Sequence, residues 1–207
     1  MADAVARLTP TAIMLLALLH EDDMHPYEMV RLLRERRADR LIGLTHGTIY
    51  HTVARLERQE LIAEAGSDRE GNRPERTTYT LTDAGARALL AWVRHELPSI
   101  ENPERFRIAL TEAHNLDRAE VLALLEKRRE LLAASLGAHR SARDTAISHG
   151  SHPQFLIEVH RQAALLAADI AWLDDAVEFI RHPDTVWGVI DIPATDRYLA
   201  QREAARA

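Results

Sequence analysis

Residues 45–62 of the chain read THGTIYHTVARLERQELI, and residues 77–85 read TTYTLTDAG. In the first stretch Ile49, Val53 and Leu56 follow one another at the spacing of a single helix face. The second stretch begins with a short run rich in threonine, which favours an extended strand over a helix. This change from helix to strand predicts a helix with one free face and a hairpin beside it.

The hairpin has two predicted strands, Leu61–Ala65 and Thr77–Leu81, which are short and contain β-branched residues. The segment Gly66–Arg76 between them is full of turn-forming residues and makes the tip. The arginines of this segment are Arg69, Arg73 and Arg76.

The sequence predicts helices on both sides of this pattern. Three of these helices are preceded by a threonine that can serve as N-cap, and two of them have a proline in their first turn. The predicted helices run from Pro10 to about His20, from Pro26 onward, from the Thr45 cap to about Glu60, and from Asp83 to Leu97. On the second helix, Glu28, Arg31 and Glu35 are predicted to share the outer face. Three helices, a hairpin and a further helix make a winged helix-turn-helix domain, which we predict over residues 1–97.

Residues 98–207 predict a second, helical domain. A shorter element over Pro103–Ala113 precedes a long helix from Asp117 to about His149, and Gly150–Pro153 then breaks the chain. The seam of the long helix is Leu122, Leu125, Arg129, Leu132, Leu136 and His139. A last amphipathic segment is predicted over Pro193–Ala204.

The helix after the break carries a stricter seam, in which apolar residues alternate three and four positions apart as in a coiled coil. Its positions are Leu156, Val159, Ala163, Leu166, Ile170, Leu173, Val177 and Ile180. Such a seam forms when two antiparallel helices pack within one chain, or when helices of two chains meet, and we expect both at once. The predicted fold is therefore mainly α with a small β-hairpin, in which a winged helix-turn-helix is followed by a long-helix dimerisation domain.

Composition limits the classes of function. The chain has no cysteine, which excludes disulfide scaffolds and cysteine nucleophiles and fits a reducing cytoplasm. The formal net charge is −6, so any contact with DNA must come from a local basic patch. The apolar run Ala12–Leu19 is much shorter than the roughly 20 residues that span a bilayer, and it predicts a buried core helix, with no membrane contact.

The third helix has the makings of a DNA-recognition helix, which must bury one face and present the other to the major groove. At about 100° per residue, the face opposite Ile49, Val53 and Leu56 carries polar and basic groups. That face consists of Gly47, His51, Ala54, Arg55 and Arg58, flanked by Thr48 and Tyr50. Arginines on the neighbouring hairpin strengthen this interpretation, because their planar fork suits phosphate.

At this point the sequence resembles the PadR family of transcriptional regulators. The motifs that carry the resemblance are Gly47-Thr48-Ile49-Tyr50, Leu56-Glu57, Gln59-Glu60-Leu61-Ile62 and Tyr79-Thr80-Leu81-Thr82-Asp83-Ala84-Gly85. His25-Pro26-Tyr27-Glu28 is similar to the family's His-Gly-Tyr-Glu and departs from it at Pro26. Strong resemblance covers residues 8 to about 95, and Ala171-Trp172-Leu173 loosely resembles the longer, first subfamily.

The resemblance implies a homodimeric repressor that binds a palindromic DNA operator, with the C-terminal helices of the two chains intertwined. It implies that Tyr50 contacts phosphate, and that Thr48 and the start of the third helix, Thr45, His46 and Gly47, lie in the major groove. The wing arginines would reach the backbone or the minor groove. A small aromatic effector is implied, since effectors in the family range from phenolic acids to planar drugs.

Trp92 lies near the position where some drug-binding relatives place a stacking tryptophan, although a packing role explains it as well. His149 and His152 could bind a metal ion, but the nearest carboxylates in the sequence do not have a recognisable metal-ligand spacing. No phosphate loop or catalytic motif occurs, so the sequence predicts no cofactor and no enzyme.

Two other functions stay open. A MarR-like regulator places helices at both ends of its winged helix, whereas here the long helices are C-terminal. A helical adaptor would use the winged helix to bind a protein, and it would need no arginines on the wing or on the outer face of the third helix.

Overall fold

A computed structural model of the chain describes residues 8–43, 45–68, 76–188 and 196–206. It is mainly helical with one antiparallel hairpin, and the predicted winged helix-turn-helix followed by long helices is confirmed. The helices are α1 Pro10–Glu21, α2 Pro26–Glu35, α3 His46–Arg58, α4 Asp83–Glu96, α5 Pro103–Thr111, α6 Arg118–Ser148, α7 Ile157–Arg181 and α8 Asp196–Arg206. The strands are β1 Ile62–Asp68 and β2 Arg76–Leu81.

Helix α1 is the centre of the N-terminal core. Every residue from Ala12 to Leu19 is buried, and α1 packs against α3, α4, α5 and β2. The predicted cap is present, because the Thr9 hydroxyl accepts a hydrogen bond from the Ala12 N–H at 3.3 Å. The apolar run is thus the core helix that its length predicted, and none of the described helices is long and apolar enough to cross a membrane.

Helix α2 begins at Pro26, where the His25 ring nitrogen Nδ1 accepts a hydrogen bond from the Tyr27 N–H at 3.0 Å. The predicted outer face is wrong at Glu28, which is only 8% exposed. Glu28 lies one turn before the buried Leu32, and residues four apart share a helix face. The free face of α2 is therefore narrower than the charge pattern suggested.

The chain leaves α3 through Glu60, whose φ of 58° is in the left-handed region. β1 then pairs with β2 in antiparallel register from Ile62 opposite Leu81, with a bulge between Glu64 and Gly66. β1 continues to Asp68, beyond the predicted end at Ala65.

A further bridge joins the hairpin to the loop before α2, because Met24 and Tyr79 exchange backbone hydrogen bonds of 3.1 and 3.0 Å. The sequence pattern did not predict this bridge, since the two residues are far apart along the chain.

The corner between β2 and α4 is tightly built. The Thr82 hydroxyl lies 2.8 Å from the Glu60 carbonyl and accepts the Gly85 N–H at 3.0 Å. A Cβ at Gly85 would stand 2.0 Å from the Leu61 carbonyl oxygen, closer than atoms approach. The motif around Thr82 thus ties the wing and α4 to the end of α3.

Helices α6 and α7 form an antiparallel pair within the chain, joined by a 3-10 turn at Pro153–Leu156. Most of the strict seam is used inside this pair, since Leu156, Leu166, Leu173, Val177 and Ile180 are buried and the other three positions are half-buried.

The predicted seam of α6 is wrong in its first half, because the buried residues are Val121 and Arg128 and not Leu122 and Arg129. The Arg128 guanidinium lies 3.5 Å from the centre of the Phe106 ring and donates to the Ser99 carbonyl, which makes its burial tolerable. Arg129 is exposed and pairs with Asp174 of α7.

A polar cluster joins the winged helix to the C-terminal helices. His20, near the end of α1, lies 3.2 Å from the Asn115 side-chain oxygen, and Asn115 donates to the Glu112 carboxylate at 3.2 Å. Thr111 also donates to that carboxylate at 3.2 Å.

Burial raises the pKa of Glu112 to about 7, and the charge of Glu21 adds to the rise. Arg36 and the hydrogen bonds from Thr111 and Asn115 act in the opposite direction. The junction therefore holds a carboxyl group that changes charge near neutral pH.

We predict that Gly85→Ala destabilises the fold by about 3 kcal/mol, or roughly 6–12 °C in Tm, because the new methyl group would overlap the Leu61 carbonyl. Gly137→Ala is the matched control, since it lies within α6 and its Cβ would meet nothing within 4 Å. The control is expected to raise Tm slightly. Equal Tm values for the two variants in thermal circular dichroism would contradict the described corner.

We predict that Glu112→Gln removes a loss of stability that the native chain suffers at neutral pH. A carboxyl whose folded pKa of about 7 exceeds its ordinary 4.5 stabilises the fold fully below pH 4.5, and this contribution is lost as the pH rises through 7. The difference reaches up to about 3 kcal/mol. Tm curves from pH 5 to 8 should converge at low pH, with the variant more stable at pH 8, while Glu101→Gln at an exposed position should follow the native curve. Parallel curves for the native chain and Glu112→Gln would contradict the burial of this group.

Candidate nucleic-acid interface

The two faces of α3 are as different as its sequence predicted. Ile49, Val53 and Leu56 are buried, and Thr52 joins them with its hydroxyl donating to the Thr48 carbonyl at 2.7 Å. The exposed residues of the helix and its cap are Thr45, His46, Gly47, Thr48, Tyr50, His51, Ala54 and Arg58. The protein's own packing thus leaves one polar side of α3 uncovered.

The first turn of α3 is ordered by threonines. The Thr45 hydroxyl accepts the Thr48 N–H at 3.1 Å, and the two hydroxyls lie 2.7 Å apart. Gly47 stands beside them in open space, since a Cβ there would meet nothing closer than the Thr45 hydroxyl at 4.0 Å. The fold itself does not require glycine at this position.

Arg55 and Arg58 were predicted together but are held differently. Arg55 is half-buried, and its guanidinium donates to the Thr9 hydroxyl at 2.9 Å, which ties it to the start of α1. Arg58 is exposed, and its Nε donates to the Ala54 carbonyl at 3.1 Å. Arg58 is therefore the freer of the two cations.

An aromatic contact that the sequence reasoning missed joins α2 to this surface. The ring of Tyr27 lies 6.3 Å from that of His46 at an interplanar angle of 25°, and the Arg31 guanidinium carbon lies 5.7 Å from the centre of the Tyr27 ring. Tyr27 is 41% exposed. Its position in the His25-Pro26-Tyr27-Glu28 motif was the available signal.

Three arginines lie beside the outer face of α3. Several other arginines of the chain are paired with carboxylates, as in Arg36–Glu21 and Arg94–Glu120, both at 2.6 Å. Arg31, Arg55 and Arg58 form no ion pair with any described residue. They supply local positive charge in a chain whose formal net charge is −6.

Two of the predicted wing arginines, Arg69 and Arg73, lie outside the described residues. Arg76 begins β2, where its backbone is paired with Asp68, and the placement of its side chain is outside the description.

Trp92 is fully buried in the core of its own chain, with the Arg105 guanidinium 5.2 Å from its ring centre. Its ring has no exposed face within this chain, which favours the packing role, and the effector role stays a prediction. A cavity of about 620 Å³ lies elsewhere, beside the end of α7, and its lining includes His114, Phe179 and Trp187. Among the described residues, no group of three potential ligands is placed to hold a metal ion.

A second apolar stripe runs along the outside of α7. Leu165, Trp172 and Phe179 recur every seven residues and are 44%, 43% and 67% exposed. This stripe is separate from the seam that packs on α6, so α7 is apolar on two sides.

The N-terminal part of the chain is similar in sequence to a known protein family. Residues 15–91 match the model of the transcriptional regulator PadR-like family, which confirms the predicted resemblance for this segment. No curated protein matches the chain in sequence.

Solved structures of similar proteins include Bacillus subtilis PadR in complex with operator DNA, at 19% identity and a TM-score of 0.39 over 82% of this chain and 98% of that one. The same PadR in complex with p-coumaric acid gives 18%, a TM-score of 0.38, and coverage of 84% and 100%. The protein smu.1604c of Streptococcus mutans gives 19%, a TM-score of 0.38, and coverage of 83% and 99%.

Proposed function

We propose that this chain, whose residues 15–91 match the PadR-like family of transcriptional regulators, is a DNA-binding regulator and not an enzyme. It acts as a homodimer on a palindromic operator. The observation that carries the proposal is the uncovered polar face of α3, beside which Arg55 and Arg58 form no ion pair with any described residue.

The face of α3 suits the major groove. Its N-terminal turn carries threonine hydroxyls, imidazoles and a glycine that the fold does not require, so backbone and side chains can approach a base edge closely. His51 lies opposite the buried face, and Tyr50 is rotated by about 100° toward the flank. We therefore assign base contacts to the start of α3 and to His51, and phosphate contacts to Tyr50 and Arg58.

The hairpin completes the footprint in this proposal. In this proposal its arginines would contact the DNA backbone or the minor groove. For Arg69, Arg73 and Arg76 this role is a prediction from the sequence.

The second apolar stripe is where we place the dimer contact. The strict seam is already used between α6 and α7, whereas Leu165, Trp172 and Phe179 are exposed, with Trp172 also in edge contact with Phe106. Seven-residue spacing suits a helix from another chain. The sequence predicted that the seam itself would also join two chains. In this proposal the contact between chains moves to the stripe, because the seam is occupied by α6.

We further propose that the regulator is a repressor that responds to a small aromatic effector. The cavity beside α7 offers aromatic walls in Phe179 and Trp187 and a polar rim with His114. Because Phe179 also belongs to the apolar stripe, an effector in this cavity would border the dimer contact.

Selection of bound fragments from the source genome, with purified full-length protein, tests the function directly. The expected result is a small set of fragments that share a two-fold symmetric sequence, bound more weakly as salt rises. Binding that shows no salt dependence, or no enrichment of any fragment, would contradict the proposal and favour a protein-binding adaptor.

We predict different failures for two neighbouring residues of α3. His51→Ala should relax the preference at particular operator positions by about 1–3 kcal/mol, because it removes a base contact. Tyr50→Phe should weaken binding to all sequences by a similar factor, because phosphate contacts do not specify sequence. Selection profiles at one fixed salt concentration check both variants. If His51→Ala kept the native profile and Tyr50→Phe changed it, the helix would sit about a quarter turn from the assigned position.

We predict that Leu165→Asp combined with Phe179→Asp gives a folded monomer, because charged groups on the stripe oppose apolar association. Leu166→Asp is the matched control one residue away, on the buried seam, and should lower Tm sharply by placing a carboxylate between α6 and α7. Light scattering with thermal circular dichroism separates the two outcomes. A double variant that stays dimeric at micromolar concentration would remove the stripe from the interface.

A further inference from the structure

Helix α2 presents a basic and aromatic surface beside the outer face of α3. Arg31 lies over the ring of Tyr27, and Tyr27 stacks on His46, the first residue of α3. We propose that Arg31 binds a phosphate of the DNA backbone, with Tyr27 as the positioning residue that holds both Arg31 and His46. This inference rests on the proposed DNA-binding function and adds a second helix to its interface.

The state of the Arg31 guanidinium supports this role. No carboxylate among the described residues pairs with it, and its contact is with the face of an aromatic ring. Such a contact is attractive but leaves the N–H groups of the guanidinium free to donate. By contrast Arg36, the residue that ends α2, is neutralised by Glu21 in a two-bond pair of 2.6 and 2.8 Å.

The direction of Arg31 is also set by the helix. Long side chains on a helix lean toward its N-terminus, and Arg31 reaches back over Tyr27, one turn earlier. That end of α2 is next to the first turn of α3, as the contact between Tyr27 and His46 shows. In helix-turn-helix domains the helix before the recognition helix crosses the DNA backbone, so the cation lies where a phosphate is expected.

Helix α8 lies beside α2 near Arg31. It packs against α2, with Ala205 buried, and a cavity of about 60 Å³ is lined by Arg31, Glu35, Gln201 and Ala205. Arg31 is half-buried and therefore borders this small cavity on one side and the Tyr27 ring on the other.

The test uses full-length protein and a fluorescein-labelled 30-base-pair duplex of mixed sequence, titrated at several KCl concentrations. Arg31→Ala should weaken binding about tenfold at the lowest salt, as expected when a charge-assisted hydrogen bond is lost. The slope of log affinity against log salt should fall by about 0.9 for each protomer bound, since each loses one phosphate contact. Arg31→Lys should keep most of the slope, because the charge remains.

Arg107→Ala is the matched control, because it removes an exposed arginine of α5 in the C-terminal half. It should leave affinity and slope close to those of the native chain. Tyr27→Phe should also be close to native because it keeps the ring, whereas Tyr27→Ala should weaken binding several-fold with little change in slope. Thermal circular dichroism on each variant shows whether it is folded.

The outcomes separate the two levels of the proposal. If the native protein did not bind the duplex at any salt concentration, the DNA-binding function itself would fail. If the native protein bound with a clear salt slope but folded Arg31→Ala behaved like Arg107→Ala, only the role of α2 would be overturned. A loss in Tyr27→Phe equal to that in Tyr27→Ala would assign the tyrosine hydroxyl, and not the ring, to the contact.

Discussion

Burial of Ile49, Val53 and Leu56 against the N-terminal core is the interaction on which the rest of the structure depends. Once these three side chains are inside, the helical period fixes which residues of α3 face outward. They pack against a core centred on α1, whose apolar run is buried by contacts with α3, α4, α5 and β2. The uncovered side of α3 is polar and carries the exposed Arg58, and this is the surface that the proposed function uses.

A second constraint fixes how α3 meets the wing. The chain reverses at Glu60 in a left-handed conformation, and Thr82 lies within hydrogen-bond distance of that same residue's carbonyl. Gly85 lets α4 approach Leu61 so closely that no larger residue would fit. These contacts join α3, the hairpin and the start of α4 into one rigid unit.

Local signals in the sequence were reliable because the interactions behind them are local. The threonine caps at Thr9, Thr45 and Thr82 are all present, each with its hydroxyl accepting a backbone N–H. The apolar period of α3 also gave its buried face without reference to any other element.

Contacts between distant segments could not be predicted in this way. The bridge between Met24 and Tyr79 and the stack of Tyr27 on His46 depend on how α2 is placed in space. In α6 the predicted seam was wrong at Leu122 and Arg129 and right at Leu125, Leu132 and Leu136. Arg128 is buried in contact with Phe106, and a hydrophobic pattern does not anticipate a buried arginine. The sequence pattern did not show that the apolar stripe of α7 would be left exposed, because this depends on which side of α7 packs against α6.

Methylation protection by dimethyl sulfate on a selected operator shows whether the outer face of α3 enters the major groove of two half-sites, as we propose. The reagent methylates guanine N7 in the major groove, the atom that a recognition helix covers. We expect two symmetric clusters of protected guanine N7 positions, about one helical turn or a multiple of it apart. Bound operator in which every guanine N7 stays reactive would contradict this placement, because the protein would then hold DNA without α3 in the groove.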